Sequence, residues 1–474
     1  MSFDASAPSA ETLSNSFWSV IREGLRGSQR DFTQGPIWVA LVILAIPMIL
    51  EMSMESLFAV VDIFFVAKLG ADAVAIVGLT ESVMALIYAV AFGLAIGATA
   101  TVARRTGEKD MAGAAKSAAH VIYLGVIVSL LISAIGIALA PSILRALGAD
   151  AHVIDEGARF MRIMLGGNAV VLFIFLLNAI FRGAGDAAIA MRVLVLANGL
   201  NMILSPMFIF GVGFFPELGV TGAAVGTTIG RGCGVLFAAS YLFRPGGRIH
   251  VSRESWRFDP TLLWKLLRLS ATGVIQLLIA TASWTALMPI MAGFGEVAIA
   301  GYVIALRVVM FALLPALGLS NAAATMVGQN LGAGKPERSE AAVWAAAKFN
   351  AAFYFGIGVV FWLFSHQIIS IFTQEPEVLR YGTSALHIIA YGFTFYGLGM
   401  VLETAFNGAG DTWTPTYLNL FIFWLFEIPT AYLLAYYFGM GPDGVFWAIT
   451  IAFSLLAIAS ALLFKRGKWK LKTV

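Results

Sequence analysis

Three carboxylates stand at spacings that bring them together inside a run apolar enough to span a membrane. The stretch Pro47-Met-Ile-Leu-Glu51-Met-Ser-Met-Glu55-Ser-Leu-Phe-Ala-Val-Val-Asp62 carries Glu51, Glu55 and Asp62. Steps of four, seven and eleven residues return a helix to within about 40° of one direction, so the three acids share a face. At about 1.5 Å per residue the stripe covers roughly 16 Å, about half of a hydrocarbon core of about 30 Å. Each such acid costs about 2.5 to 3.5 kcal/mol at the centre of a spanning helix, so the stripe reads first as a cavity-facing cation or proton site. The plainer alternative is three carboxylates satisfied by neighbouring helices. Pro47 removes a backbone donor and crowds the turn before it, which predicts a hinge below the stripe.

Polar side chains that could complete such a site lie further along. Asn198, Asn201 and Ser205 are three and four residues apart and form one helix face, and Asn178 closes the preceding apolar run. In hydrocarbon each needs a partner, either across packed helices as glue or at a shared site with the acids. Other charges inside apolar runs are Glu81, Arg159, Arg162, Arg307, Glu403 and Glu427. Arg159 and Arg162 share a face and could pair with acids. Glu403 and Glu427 are candidates for a second polar site or for structural pairing.

These residues require elements that cross a bilayer. The chain of 474 residues is 59% hydrophobic and 12% charged, against about 25% charged in soluble proteins. Twelve apolar runs follow, at about 38–67, 73–101, 113–140, 155–181, 187–211, 218–243, 261–292, 297–327, 338–366, 377–406, 412–437 and 443–464. The expected fold is an all-α integral membrane protein with twelve transmembrane helices in two pseudo-symmetric six-helix lobes. Its expected divisions are a tail at 1–36, a first lobe at 37–243, a linker at 244–260, a second lobe at 261–464 and a basic tail at 465–474. Within the first tail, Phe17, Trp18, Ile21 and Leu25 recur at helical spacing, which fits a short helix on the membrane surface; a plain tail fits as well. The tail lacks the features of a cleavable signal peptide, so the first span is expected to direct insertion.

Basic residues sort the loops. Arg22, Arg26, Arg30, Arg104, Arg105, Lys109, Arg182, Arg244, Arg248, Arg253, Arg257, Lys335, Arg338 and the final lysines fall in one set with both termini. The positive-inside rule places that set in the cytoplasm, and the expected location is a cell membrane, a bacterial inner membrane. With a net charge of +3 and no basic run interleaved with aromatics, no nucleic-acid partner is expected. The single Cys233 and five scattered histidines offer no metal-ligand spacing, and no cofactor is expected.

The halves repeat one another. Val74-Ala-Ile-Val-Gly-Leu79 recurs as Val297-Ala-Ile-Ala-Gly-Tyr302, and Phe181-Arg-Gly-Ala-Gly-Asp186 as Phe406-Asn-Gly-Ala-Gly-Asp411, at offsets of 223 and 225 residues. Val102 with Gly107 matches Val327 with Gly332. Six spans per half make the copies parallel repeats. The second copy lacks the acids: Glu51, Glu55 and Asp62 map onto Val274, Leu278 and Thr285, with Gln276 the strongly polar residue nearby. Gly-Ala-Gly-Asp together with Pro315-Ala-Leu317 invites comparison with intramembrane aspartyl proteases. However, the motif occurs twice in homologous turns, no Tyr-Asp pair exists in the sequence, and Gly-rich turns after helices are ordinary capping chemistry.

From about Ile37 to Phe464 the chain resembles the MATE (multidrug and toxic compound extrusion) family of secondary transporters. The resemblance rests on Pro47 with Val61-Asp-Ile-Phe64 and Lys68-Leu-Gly70, on Leu177-Asn178 and Arg182-Gly-Ala-Gly-Asp186, on Leu200-Asn-Met-Ile-Leu204 with Pro206, and on Gly222-Ala-Ala224. It implies two lobes around a V-shaped cavity, and export of amphipathic, mostly cationic compounds in exchange for H+ or Na+. In the branch coupling through its first lobe, the resemblance places the site at Asp62, Asn178, Asn201 and Thr227. Ser205 stands where that branch usually has a carboxylate, and Glu51 and Glu55 stand where it is usually uncharged. Small amphipathic organic cations and membrane lipids are therefore the expected partners of a monomer that is not an enzyme. A lipid-linked saccharide flippase of the same superfamily is the alternative, and it would favour a basic cavity.

Overall fold

The computed structural model describes residues 16–474, so the first fifteen residues of the expected N-terminal tail lie outside the described residues. A short helix, α1 (Phe17–Arg26), precedes the first half, which comprises α2 (Ile37–Ala67), α3 (Ala71–Gly107), α4 (Met111–Ala146), α5 (Ala151–Gly166), α6 (Asn168–Ala184), α7 (Ala187–Phe210) and α8 (Val220–Leu242). The second half comprises α9 (Pro260–Ala286), α10 (Met288–Ala292), α11 (Glu296–Gly332), α12 (Pro336–Ser370), α13 (Pro376–Gly408), α14 (Trp413–Asn419), α15 (Ile428–Tyr432) and α16 (Pro442–Lys465). Residues 420–427 and 433–437 are π-helical and make α14 and α15 one continuous element.

Local chemistry sets these boundaries. Asp110, Asp150 and Asp259 cap helix starts by accepting from backbone N–H groups, and Pro260, Pro336, Pro376 and Pro442 open helices where no N–H partner is needed. Gly185 ends α6 in the left-handed region at φ 87. Eleven stretches among the described residues are long and apolar enough to cross a membrane, with α5–α6, α9–α10 and α14–α15 each counting once. The helix expected as the sixth span, α8, is less apolar because it carries glycines, threonines and Arg231. It packs against α5, α6 and α7, which screen those groups from lipid.

Apolar side chains gather in three clusters. One runs through the first half from Val66 to Val251 and takes in Leu266 of α9, and a second lies within the second half, from Leu287 to Leu456. The third joins them: Val39 to Met48 of α2 pack with Leu319 to Leu331 of α11 and with residues of α12 and α13. The N-terminal part of α2 is thus embedded in the second half, while its acidic part faces the first. Pro47 sits at that junction inside an unbroken helix. There Gly318 of α11 lets the backbones meet, since a Cβ would lie 2.5 Å from Ile49 N and 2.6 Å from Met48 C.

At the end of the bundle bearing α1 and the C-terminal residues, α3 and α11 cross through Gly107 and Gly332, the repeat-related pair. A Cβ at Gly107 would collide with Gln329 O, and one at Gly332 with Arg104 O. Arg104 donates to Lys472 O at 2.8 Å and Ala409 O at 3.3 Å, and Gln329 Nε2 donates to Gly183 O at 2.9 Å. Gly183 and Gly408 are therefore at the same end, as parallel repeats require. Residues 28–35 form a strap across it. Arg248 holds the carbonyls of Ser28 and Gly185, Lys335 holds Thr33 O, and Arg338 holds those of Phe32, Gln34 and Gly35. The side chain of Phe32 is buried beneath the strap. On α1, Val20 and Gly24 pack inward while Phe17 and Trp18 remain exposed.

Candidate functional site

The acidic face of α2 meets two arginines that sequence reasoning did not bring to it. Glu51 is fully enclosed, and its Oε1 accepts from Arg182 Nη1 at 2.7 Å and Asn178 Nδ2 at 3.0 Å. Asn178 and Arg182 are four residues apart on α6, so one helical turn presents both to the same carboxylate. Glu55 accepts from Arg231 Nη2 at 2.6 Å and Asn198 Nδ2 at 3.1 Å. The guanidinium of Arg231 is wholly buried, with the rings of Phe58 and Tyr88 at 5.0 and 5.9 Å from it. Two of the three acids are thus ion-paired and amide-bonded.

Asp62 stands apart from these pairs. Its Oδ1 is enclosed without a hydrogen-bond partner. Asn201 instead donates to Thr227 Oγ1 at 2.8 Å and accepts from Ser205 Oγ at 3.3 Å, forming a neutral cluster between α7 and α8. Glu81 of α3 is exposed and close enough to Asp62, Glu55 and Arg231 for their charges to act on it. Four carboxylates consequently share this part of the first half with Arg182 and Arg231.

Several sequence readings need correction. Arg182, grouped with the loop cations, is 4% exposed and turned inward onto Glu51. Among the described residues Arg159 and Arg162 pair with no acid: both are exposed, and Arg162 Nε donates to Ile137 O at 3.3 Å. Arg307 is likewise exposed. Arg231 was absent from the sequence inventory, although an arginine near the middle of a 23-residue helix was signal enough to include it.

The second half contributes a cavity of about 550 Å3 reaching from α3 across to α9, α11, α13, α14 and α16. Tyr88, Phe92, Trp284, Tyr396, Phe423 and Phe453 supply aromatic wall, and Gln276, Glu403, Asn407 and Asn419 supply polar groups. Arg182 reaches its edge while bound to Glu51. Glu427 is buried elsewhere in the same half. No group of three or more potential metal ligands occurs among the described residues.

The two Gly-Ala-Gly-Asp aspartates lie in the terminus-side turns. Asp411 is 3.1 Å from Lys472 Nζ and accepts from Thr414 Oγ1 at 2.8 Å, and Asp186 precedes α7.

The sequence model of the MatE family matches residues 47–207 and 274–433, one stretch in each half. The chain is 25% identical over 447 residues to the probable multidrug resistance protein NorM of Thermotoga maritima, covering 92% of this chain and 93% of that protein. It is 23% identical over 437 residues to the multidrug export protein MepA of Staphylococcus aureus, covering 91% and 94%. Among solved structures, a MATE protein crystallised with MaL6 superposes with a TM-score of 0.86 at 28% identity, covering 94% of this chain and 98% of that one. A MOP superfamily transporter from Pyrococcus furiosus, whose reversed pocket polarity suggests a different function, superposes with a TM-score of 0.87 at 28% identity, covering 95% and 99%.

Proposed function

This chain belongs to the MatE family, and from that premise we propose that it is a multidrug efflux transporter exporting amphipathic organic cations in exchange for H+ or Na+. The observation that carries the coupling is the charge imbalance around α2. Glu51, Glu55, Asp62 and Glu81 face Arg182 and Arg231, and Asp62 keeps a carboxylate oxygen without a partner. A proton or Na+ entering there neutralises surplus negative charge in a low-dielectric setting. Carboxylate and amide oxygens suit either ion.

The fold supplies a route from that event to the lobes. Below Pro47, α2 is packed into the second half; above it, α2 bears the acids that face the first. A change of charge at Asp62 that alters the bend at Pro47 therefore shifts one half against the other across the Gly318 contact. The basic loops support a cytoplasmic strap end, and the close α3–α11 crossing there favours a conformation shut on that side. The chain acts as a transporter and not as an enzyme. A flippase for pyrophosphate-linked saccharides needs free cations in its cavity. Here the guanidinium on the wall is held by Glu51 and the carboxylate of Glu403 is unpaired.

The test is transport of a fluorescent cation by the purified protein in proteoliposomes under imposed H+ or Na+ gradients. Gradient-dependent movement that stops in Asp62→Asn supports the reading. Equal transport with and without both gradients would overturn it.

A further inference from the structure

We propose that Glu403, Gln276, Asn407 and Asn419 form a subsite for the head group of a hydrogen-bond-donating monocation: a protonated primary or secondary amine, an amidinium or a guanidinium, in preference to a quaternary ammonium. The inference rests on the efflux reading and specifies which cations the cavity holds best.

The two repeats place their polar groups differently. In the first half the amide nitrogens of Asn178, Asn198 and Asn201 each donate to a carboxylate or hydroxyl of the protein, although Asn178 Oδ1 and Asn198 Oδ1 are unpaired. In the second half the repeat-related positions are exchanged. At the offset of 225 that joins the two Gly-Ala-Gly-Asp segments, Asn178 becomes Glu403 and Arg182 becomes Asn407. The acid-binding amide and the base around α6 are thus replaced by a carboxylate beside an amide, and at the same offset Glu51 becomes Gln276.

Neither Glu403 nor the amides around it are satisfied within the protein. Glu403 Oε1, Gln276 Oε1, Asn407 Oδ1 and Asn419 Oδ1 are enclosed and have no hydrogen-bond partner. Gln276, Asn407 and Asn419 are 5%, 6% and 2% exposed, and a buried polar group without a protein partner is costly. All four residues line the cavity of about 550 Å3. That size lies within the usual range for small-ligand sites of about 300 to 1,000 Å3.

Charge and donor count then select the ligand. Arg182, at the edge, is neutralised by Glu51, which leaves Glu403 as the unpaired charge among the cavity-lining side chains. One carboxylate matches one positive charge. Neighbouring amide oxygens demand N–H donors, which a quaternary ammonium lacks, while Tyr396, Phe423 and Phe92 offer faces to an aromatic body. A site built to hydrogen-bond a ligand group rejects the analogue without it more strongly than an apolar wall rejects extra bulk.

The experiment compares biphenyl-4-ylmethylammonium with its N,N,N-trimethyl analogue, which keep the ring system and charge and differ in N–H donors. Binding of each to the purified full-length protein is measured by calorimetry. The wild type is expected to bind the primary ammonium about tenfold or more tightly than the trimethyl compound. Glu403→Gln should weaken the primary ammonium about tenfold or more, and Asn407→Ala should reduce the preference severalfold while leaving trimethyl binding nearly unchanged. If Glu403→Gln does not fold, Asn407→Ala and Asn419→Ala carry the same test through the preference ratio. Equal wild-type affinity for the two compounds, or wild-type selectivity in the folded variants, overturns the subsite. Binding needs no ion gradient, so Glu403-dependent selectivity without gradient-driven transport would leave the subsite standing and remove the efflux reading. Export with Glu403-independent binding does the reverse.

Discussion

Arg231 donates to Glu55 at 2.6 Å from a side chain with no solvent exposure, and the rest of its guanidinium lies against Phe58 and Tyr88 with Nε and Nη1 unpaired. Removing one member of such a pair leaves the other buried and uncompensated, which typically costs about 3 to 5 kcal/mol, whereas replacing both with apolar groups can be nearly neutral. Arg231→Met is therefore expected to lower the unfolding temperature in detergent sharply, and Glu55→Leu with Arg231→Met to recover most of the loss. Thermal unfolding of the two single variants and the double variant checks this. Additive losses in the double variant would show that the two side chains are not coupled.

Asp62 should behave in the opposite manner. Its Oδ1 has no partner in the fold, so Asp62→Asn breaks no contact and is expected to leave stability within about 0.5 kcal/mol of the wild type. Gradient-driven transport, in contrast, should fall at least tenfold. Gradient-driven transport assays on proteoliposomes, paired with unfolding curves, separate the two effects. A stable Asp62→Asn variant transporting at wild-type rates would make the acidic face structural.

The contrast between these residues shows how far sequence reasoning reached. Apolar runs and their caps are local, so the expected spans match the helices to within a few residues at most ends; 187–211, for instance, becomes Ala187–Phe210. Helices α3 and α11 overrun, because each extends past the apolar core to make the Gly107–Gly332 crossing. The shared acidic face of Glu51 and Glu55 was equally legible from spacing. Arg182 was not, since basic residues at span ends are counted toward orientation and that count does not reveal which way a side chain turns. Its spacing of four from Asn178 was the available clue. The pairing of Glu55 with Arg231 joins residues 176 positions apart, and no local pattern carries such a contact.

The linker offers a test in acid. Asp259 caps α9 and receives Lys116 Nζ at 2.8 Å, and its backbone N–H donates to His120 Nε2 at 2.9 Å, which docks the linker on α4. The Lys116 hydrogen bond, helped by the N–H of Leu262, holds the Asp259 carboxyl at about 2, below its ordinary 3.8. A folded-state value below the unfolded one contributes stability that is present above about 3.8 and is lost as pH falls towards about 2. Asp259→Asn should thus unfold at a lower temperature than the wild type near neutral pH, and the two curves should converge as the pH is lowered through that window. A gap that stays constant down to about pH 2 would assign the effect to the cap alone.

The crossing of α3 and α11 gives the last test. Gly107 and Gly332 face each other's backbones so closely that neither position has room for a methyl group, and the obstructing atoms, Gln329 O and Arg104 O, are backbone and cannot swing aside. Gly78, on the same α3, has nothing within 4 Å of where a Cβ would lie. Helix propensity alone favours Gly→Ala at both helical sites by about 1 kcal/mol, so any loss in Gly107→Ala reports the helix crossing. Gly78→Ala is expected to fold and transport as the wild type or unfold slightly later. Gly107→Ala should push α3 and α11 apart and weaken the Arg104 hydrogen bonds to Ala409 and Lys472, so the strap end no longer seals. Spin labels at Lys109 and Glu337, on either side of the crossing, would read the change as a longer or broader distance distribution in Gly107→Ala. An unchanged distribution with unimpaired transport would mean that the close crossing is not needed to shut this end.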